Sequence, residues 1–311
     1  MVFAVIDLGT NTFNLLVAER LKNNTFRKIF NTKIAVKLGE GAINLGYIAD
    51  SPFKRGIDAL IHYQGLLRQY QVEQTYAFAT SAIRSASNGK EFVNTAKLQA
   101  GISIAIIDGD EEADLIYYGN RMAVKMGYHT SLIMDIGGGS TEFILGNHDT
   151  IYWKQSFLLG AARLLEKFNL SNPTTPSEMI LFNEYLKQEL TPLLKAIKHY
   201  KPDELIGSSG AFDSVIDVIS GAFNTPSVNE QQTEYAVDLN HYKFISDHIK
   251  KSTIEERYLM KGLIGMRVDM MVISILLIDF IIYELQIDKI RVSTFSLKEG
   301  VIGRKLGLSF S

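Results

Sequence analysis

The chain has 311 residues, of which 46% are hydrophobic, enough for the cores of two domains or of one large domain. Its 32 basic and 34 acidic residues give a formal net charge of −2, so no global basic field indicates binding to nucleic acid or to a membrane surface. Because the chain contains no cysteine, a disulfide framework and a thiolate metal site or nucleophile are excluded. The six histidines lack the spacing of metal ligands, which argues against a zinc site.

The first predicted element is a β-hairpin with a polar tip. Residues 4–17 read AVIDLGTNTFNLLV, in which two apolar strands flank a turn. Asp7 ends the first strand and is a carboxylate suited to Mg²⁺, directly or through water. Successive backbone N–H groups in such a turn form an anion-binding nest. The candidate phosphate ligands of this turn are Gly9, Thr10, Asn11 and Thr12.

The elements after this hairpin alternate between strand and helix, which is typical of an α/β half. They are predicted as strands over 26–30 and 33–37, a helix from about 52, a strand over 75–79, a helix over 88–100, a strand over 102–107, a turn at 108–109 and a helix from 110 to about 126. In the polar loop over 80–84, Thr80 and Ser81 are candidate phosphate ligands and Arg84 is a candidate for a bidentate phosphate contact. Glu112 is one of three acids that open the last helix, where acids complement the helix dipole.

The pattern of the first hairpin returns about 128 residues later. Residues 132–145 read LIMDIGGGSTEFIL and align without a gap on 4–17, so that Asp135 falls on Asp7 and Glu142 on Asn14. Three glycines allow positive φ and a close approach of the backbone to a ligand. The candidate phosphate ligands of this turn are Gly137, Gly138, Gly139, Ser140 and Thr141. We therefore expect two similar halves, each offering one phosphate-binding hairpin to a shared cleft.

The second half continues with a strand over 150–155 and a helix from 160 to about 172. A further helix starts from a capping box at 175–178 and breaks at Pro192. The remaining predicted elements are a strand over 203–206, a polar loop over 223–234, helices over 241–250, 253–260 and 265–285, a strand over 287–292 and a helix over 297–306. One segment between a strand and a helix is a candidate edge for an anion or a nucleoside. Its residues are Gly207, Ser208, Ser209 and Gly210.

The stretch over 270–283 is strongly apolar, but it carries Asp279 and is shorter than the roughly 20 residues that a membrane-spanning helix needs. We predict a buried core helix there and no membrane association. The N-terminus lacks the basic lead of a signal peptide, so we expect a cytoplasmic protein.

These features resemble known proteins at two levels. Paired D-x-G-x-x-[ST] hairpins in two α/β halves resemble the actin, sugar kinase and Hsp70 fold, which implies two ribonuclease H-like (actin-like ATPase) domains with an interdomain cleft. The expected domains are residues 1–124 with the C-terminal helix 297–311, and residues 125–296. Within this fold, several segments resemble the exopolyphosphatase and guanosine pentaphosphate phosphohydrolase family. They are 4–13 (AVIDLGTNTF), 80–84 (TSAIR), 109–113 (GDEEA), 135–142 (DIGGGSTE), 267–269 (RVD) and the closing motif 297–301 (LKEGV).

Two departures from the family pattern stand out. The chain has no room for the extra helical domain of the family's long form, so it resembles the short, two-domain form. Lys298 stands in the closing motif where many relatives have arginine. Lysine keeps the charge but lacks the bidentate fork that suits phosphate.

The resemblance implies hydrolysis of terminal phosphoanhydride bonds, releasing phosphate from inorganic polyphosphate or guanosine pentaphosphate. It also implies Mg²⁺, with Mn²⁺ as the alternative metal, and a homodimer. Glu112 matches the family's catalytic base, and Glu142 has a metal–water or catalytic role near the bound phosphate. The candidate catalytic residues are thus Glu112, Glu142 and Arg84, and the candidate metal ligands are Asp7, Asp135 and Glu142.

Two other functions fit the same sequence. One is a kinase or ATPase of the actin-like fold, for which 207–210 is the candidate adenosine-binding segment. The other is a non-catalytic sensor of guanosine tetra- or pentaphosphate or of polyphosphate. Arg267 and Asp269 lie two residues apart on a helix and do not share a face, so we assign them to structural ion pairs.

Overall fold

The computed structural model describes residues 1–22, 25–229 and 231–307, and the side chains of Lys305 and Leu306 are outside the description. The chain divides into two compact units. The first comprises Met1–Met122 and the C-terminal segment from Leu297, and the second comprises Ala123–Ser296. Sequence patterning had placed the same two passages at 124/125 and at 296/297.

The first unit is built on a five-stranded sheet with the order β3-β2-β1-β4-β5. The strands are β1 (Val2–Leu8), β2 (Thr12–Arg20), β3 (Phe26–Ala35), β4 (Gln74–Ala79) and β5 (Ile104–Ile106). The strands β1, β2 and β3 form an antiparallel meander, and β4 and β5 run parallel to β1. The helices are α1 (Asp50–Gln69), α2 (Ser81–Ser85), α3 (Gly89–Ala100), α4 (Gly109–Ala123) and α12 (Leu297–Leu306).

The alternation of side chains along β1 and β2 places the polar residues of the first hairpin. Ile6 and Leu15 belong to the apolar core that the sheet shares with α1 and α3. Asp7 and Asn14 are each one residue closer to the turn, so their side chains lie on the opposite face of the sheet. The hairpin thus buries one face completely and keeps its carboxylate out of that core.

The second unit is built on a six-stranded sheet with the order β10-β11-β9-β6-β7-β8. The strands are β6 (Ser131–Ile136), β7 (Thr141–Gly146), β8 (Ile151–Phe157), β9 (Glu204–Ser208), β10 (Glu234–Val237) and β11 (Ile290–Ser293). The helices are α5 (Ala161–Phe168), α6 (Pro176–Glu189), α7 (Thr191–Tyr200), α8 (Ser209–Phe223), α9 (Leu239–Lys251), α10 (Ile254–Leu259) and α11 (Val268–Leu285).

The apolar stretch of the sequence is α11, a helix buried over most of its length within the core of the second unit, as predicted. Its one mid-helix charge, Asp279, accepts hydrogen bonds from Tyr242, Ser246 and Lys250, which are spaced four residues apart on α9. A half-buried carboxylate with three donors is a satisfied charge at the edge of the core. In the part of the chain that the structure describes, no helix has the length and hydrophobicity of a membrane span.

The two sheets repeat one topology. Counted from each hairpin, the strand order begins third, second, first, fourth in both, with the second strand antiparallel to the first. The fifth position is β5 in the first sheet and β11 in the second, where β10 adds an antiparallel edge strand. This is the order of the ribonuclease H-like domain of actin-like ATPases. The prediction of two such domains is confirmed, and so are both hairpins and the helix break at Pro192.

Several local predictions are wrong. Residues 81–85 form the helix α2, with Thr80 as its N-cap, where a loop over 80–84 was predicted. The two strands predicted over 26–30 and 33–37 are the single strand β3. The strand predicted over 102–107 is only three residues long and partly exposed. The strand β10, which follows the predicted loop over 223–234, was missed because its four residues pair only with β11, far along the chain.

Candidate functional site

The two hairpin turns have the same backbone geometry. The N–H of Gly137 donates to the carbonyl of Ser140 at 3.0 Å, and the N–H of Gly9 donates to the carbonyl of Thr12 at 3.2 Å. A Cβ on either glycine would lie 2.9 Å from that same carbonyl oxygen. Glycine is therefore required by close backbone approach. The expected positive φ in the triple-glycine turn is wrong, since the glycines with positive φ lie elsewhere.

The carbonyls of the second turn are held by α5. The N–H of Ala161 donates to the Gly137 carbonyl at 2.9 Å, and the N–H of Ala162 donates to the Gly138 carbonyl at 2.9 Å. Gly160 makes this approach possible, because a Cβ there would collide with the backbone of Gly138 and Gly139. In a trans peptide the C=O and the following N–H point in opposite directions. The N–H groups that follow these carbonyls therefore point away from α5.

In the first turn, a different segment donates hydrogen bonds to the carbonyls. The N–H groups of Gly39 and Lys37 donate to the carbonyls of Thr10 and Asn11, at 3.3 and 2.9 Å. Arg55 on α1 holds this supporting segment through the Val36 carbonyl at 2.9 Å. By the same planarity, the N–H groups of Asn11 and Thr12 point away from the support. Each unit thus presents N–H groups of the kind that bind an anion.

The carboxylates of the two hairpins have different partners. Asp7 lies opposite Asn14 in the ladder and accepts a hydrogen bond from its amide at 3.1 Å. Asp135 lies opposite Glu142, and the two are 5% and 1% exposed. Two acids opposite each other repel, and burial makes their ionised forms costly unless a cation is near.

Hydroxyl groups of the second unit hold these two acids. Ser208 and Ser296 donate to Oδ2 of Asp135 at 2.6 and 2.5 Å, and Ser156 donates to Oε1 of Glu142 at 2.6 Å. The described residues contain no group of three or more metal-binding side chains. Asp135 and Glu142 still fit Mg²⁺, which is commonly held by one or two carboxylates together with waters and phosphate oxygens.

The helices α2 and α4 bring Arg84 and Glu112 together in the first unit. Glu112 is 6% exposed, and Nη1 of Arg84 lies 2.7 Å from its Oε2. The same Nη1 donates to the Ile107 carbonyl at 3.0 Å. Glu112 is therefore a buried, charge-compensated carboxylate, and Arg84 orients it. The contact of Arg84 with phosphate stays a prediction.

The remaining candidate hydroxyls divide into bonded and unbonded ones. The Thr141 hydroxyl donates to the Leu159 carbonyl at 2.9 Å, and the Thr80 hydroxyl lies 3.5 Å from the Leu8 carbonyl. The buried Ser81 hydroxyl has no hydrogen-bond partner among the residues that the structure describes. An orphaned buried hydroxyl is costly, so Ser81 retains its place among the candidate ligands.

In the segment 207–210 the local contacts are structural. A Cβ on Gly207 would collide with the Phe212 ring, and the Ser208 hydroxyl is committed to Asp135. The Ser209 hydroxyl donates to the Ile136 carbonyl at 3.0 Å, from a backbone with φ of 65°. The roles of these residues toward phosphate stay predictions.

Arg267 lies beside this segment. A Cβ on Gly210 would meet its guanidinium, and its Nη1 donates to Ser214 at 2.8 Å. Its ion-pair partner is Asp213, at 3.8 Å. Burial lowers the pKa of Arg267, while the charges of Asp213 and Asp217 oppose that shift.

Sequence reasoning missed four residues that touch the second hairpin: Ser156, Ser296, Arg163 and Gly160. The positions of the first two depend on strand register and on the path of the chain after β11, and no local sequence pattern indicates either. A signal for the other two did exist, because a glycine followed by an arginine at the start of a helix permits close packing and a side-chain donor.

The fold and these contacts define a protein with the actin-like ATPase fold, in which each unit has one glycine-turn hairpin that carries a carboxylate. The model of the Ppx/GppA phosphatase family matches residues 16–308. The chain belongs to the Ppx/GppA phosphatase family.

Similar proteins include two with solved structures. An exopolyphosphatase from Cytophaga hutchinsonii is 38% identical, with a TM-score of 0.96 and 100% of each chain covered. The Aquifex aeolicus member of the Ppx/GppA family is 25% identical, with a TM-score of 0.81, over 100% of this chain and 99% of the other. Exopolyphosphatase 1 of Mycobacterium tuberculosis is 26% identical over 315 residues, covering 98% of this chain and 88% of the relative.

Proposed function

We propose that this protein is a phosphohydrolase that releases terminal phosphate from inorganic polyphosphate. The observation that carries the proposal is the matched pair of turns. In each turn the carbonyls accept hydrogen bonds from a supporting segment on one side, and the N–H groups point to the opposite side. Such groups suit phosphate oxygens, whose negative charge they stabilise. Relatives named exopolyphosphatase over nearly the whole chain support polyphosphate as the substrate class.

Glu112 is proposed as the residue that aligns and deprotonates the attacking water. Phosphoryl transfer depends mainly on positioning and on compensation of negative charge, so a fixed carboxylate is well suited to this task. The ion pair with Arg84 holds the Glu112 carboxylate in a fixed position.

A divalent cation, Mg²⁺ or Mn²⁺, is proposed as the cofactor. Asp135 and Glu142 would hold it in the second unit, with Asp7 as the candidate ligand in the first. When bound, the ion neutralises phosphate oxygens. The support for this proposal is the buried pair of facing acids, which a cation would stabilise.

Guanosine pentaphosphate is proposed as a second substrate on the strength of the family alone. A homodimer and a cytoplasmic location are proposed on the same ground. The kinase or ATPase function and the non-catalytic sensor remain the competing hypotheses. Transfer of phosphate from ATP to an acceptor would favour the first, and binding without phosphate release would favour the second.

One experiment tests the proposed reaction. Phosphate release is measured in parallel from long polyphosphate, short polyphosphate and guanosine pentaphosphate, with and without Mg²⁺, for the wild type and Glu112→Gln. We expect release from polyphosphate only with the metal, and a kcat about 10²-fold lower in the variant with its fold unchanged. Wild-type turnover by Glu112→Gln would remove Glu112 from the mechanism, and no release from any of the three would refute the proposed reaction.

A further inference from the structure

We propose that Arg163 is a positioning residue of the second phosphate-binding turn. Its Nε lies 3.0 Å from the carbonyl oxygen of Gly139, to which it donates a hydrogen bond. This bond turns the N–H of Ser140 toward the side of the turn where phosphate binds. The inference rests on the proposed function only in naming phosphate as the ligand of this turn.

Three successive carbonyls of the turn are held from one side. Backbone N–H groups of α5 take the carbonyls of Gly137 and Gly138, and the Arg163 side chain takes the carbonyl of Gly139. These peptides are trans, since the described residues contain a cis peptide only at Asn172–Pro173. The three N–H groups that follow, on Gly138, Gly139 and Ser140, therefore point together to the opposite side. Three convergent N–H groups form a stronger nest for an anion than two.

The third carbonyl differs from the first two in what holds it. The bonds to Gly137 and Gly138 come from the first residues of α5, so they exist wherever that helix begins. The bond to Gly139 comes from a side chain, so only the residue at position 163 determines it. Within the described part of the chain, no other hydrogen bond to this carbonyl is present. The orientation of the Ser140 N–H therefore depends on Arg163.

Arg163 is well held for this purpose. It is half-buried, and burial lowers its pKa, while the charges of Glu166 and Tyr185 oppose that shift. Gly160 lets the start of α5 contact the backbone of the turn, so the side chain reaches Gly139 from a fixed base. In the first hairpin, the partners of the Thr10 and Asn11 carbonyls among the described residues are backbone N–H groups, without a side-chain donor.

Two substitutions separate the hydrogen bond from the charge. In Arg163→Gln the side-chain amide nitrogen stands at the position of the arginine Nε, so a donor remains while the charge is lost. In Arg163→Met the side chain has a similar length and no donor. Lys167→Ala is the matched control, since Lys167 is an exposed cation of the same helix that lies over the Tyr185 ring and not at the turn.

The measurement is binding of inorganic phosphate to the full chain, followed by the amide resonances of ¹⁵N-labelled protein. We expect Arg163→Met to weaken binding about tenfold, the value of one hydrogen bond to a charged group, and to abolish the response of the Ser140 amide. Arg163→Gln should stay within about threefold of the wild type, and Lys167→Ala should be unchanged. In turnover assays the same order should appear in KM more than in kcat.

Two results would overturn the proposal. Wild-type phosphate binding by Arg163→Met would show that the clamp has no effect on the turn. Equal weakening in the glutamine and methionine variants would show that the guanidinium charge acts directly on phosphate. If the methionine variant does not fold, the Arg163 Nε–H resonance of the wild type decides: it should exchange slowly with solvent, and fast exchange would contradict the bond.

This test is separate from the test of the proposed reaction. Phosphate binding requires no turnover, so it can be measured even if the wild type releases no phosphate from polyphosphate. Absence of turnover with the expected order of phosphate affinities would refute the reaction and keep the clamp. Turnover with equal affinities in all variants would do the reverse.

Discussion

At the scale of single residues, the ion pair between Arg84 and Glu112 determines the position of the proposed catalytic base. Burying a carboxylate without a partner is costly, and Glu112 is almost inaccessible. Its partner lies in the same unit, on a five-residue helix that follows β4. The stability of the first unit and the position of the Glu112 carboxylate therefore depend on the same contact.

We predict that Arg84→Met destabilises the protein. The substitution removes an ion-pair partner from the buried Glu112, and breaking a buried pair typically costs about 3–5 kcal/mol. Because the Arg84 side chain is 20% exposed, solvent screening reduces the loss, and we expect about 2 kcal/mol. The measurement is the free energy of unfolding in urea at neutral pH.

The double variant Arg84→Met with Glu112→Gln is the control for this prediction. Once the carboxylate is neutral, removing the arginine no longer breaks an ion pair, so the two losses of stability should not add. Additive losses would mean that the two side chains do not interact in solution.

At the scale of the elements, a buried ion cluster joins strands of the second sheet at the end opposite to the glycine turn of 137–140. Glu204, the first residue of β9, is fully buried. It contacts Arg291 of β11, Ser131 of β6 and Lys289, which precedes β11. Burial raises the pKa of Glu204, but the hydrogen bonds from Arg291, Lys289 and Ser131 outweigh it and hold the pKa at about 2.

This depressed pKa predicts a stability that depends on pH. The ordinary value is 4.5, so the ionised Glu204 contributes its stabilisation above that pH and loses it as the pH falls toward 2. A depression of this size corresponds to about 3 kcal/mol. Glu204→Gln should be less stable than the wild type at pH 7, and the difference should shrink between about pH 5 and pH 3.

Thermal and urea unfolding of the two proteins across this range provide the test. Phosphate binding at pH 7 should be unchanged in Glu204→Gln, since the cluster lies at the other end of β6 and β9. A stability difference that stays constant with pH would contradict the assigned pKa.

The elements that sequence patterning predicted are those whose signal is local. The hairpins follow from apolar alternation around a glycine turn, and α11 follows from its hydrophobic length. The helix α2 was missed because its five residues are too few for a periodic pattern, and β10 because edge pairing with β11 is a long-range contact.

The same limit applies to the candidate site. The motifs identified Asp7, Asp135 and Glu142 because the local sequence alone shows a carboxylate next to a glycine turn. The bond between Ser156 and Glu142 depends on the register of β7 and β8, and that of Ser296 on where the chain passes after β11. Register and path are set by packing, which the sequence pattern alone does not specify.

At the scale of the whole molecule, the two units differ in how the chain builds them. The second unit is one continuous segment, Ala123–Ser296, whose two ends are tied to one residue. The Thr233 hydroxyl donates to the Ala123 carbonyl at 2.8 Å, and the N–H of Thr294 donates to the Thr233 carbonyl at 3.0 Å. Adjacent ends and an independent core are the conditions under which a segment folds alone.

The first unit, by contrast, is completed only by α12 from the far end of the chain. Val5 and Leu16 are fully buried, on the face of β1 and β2 opposite to the core with α1 and α3, and α12 packs on β1. Gly300 of α12 lies against α4 so closely that a Cβ would meet the Leu115 carbonyl, and Glu299 pairs with Lys28 at 3.5 Å. Without α12 this face would be exposed to water.

We therefore predict that residues 123–296 fold when expressed alone, whereas residues 1–122 do not. The first fragment should unfold cooperatively and bind inorganic phosphate with the same sensitivity to Arg163→Met as the full chain, because the turn and its support lie within it. The second fragment should aggregate or stay partly folded, since it leaves an apolar sheet face uncovered. Circular dichroism, size-exclusion chromatography and amide spectra of the two fragments provide the measurement. Attaching residues 297–311 to the 1–122 fragment through a flexible linker should restore folding, and a fully folded 1–122 fragment without them would show that α12 is dispensable.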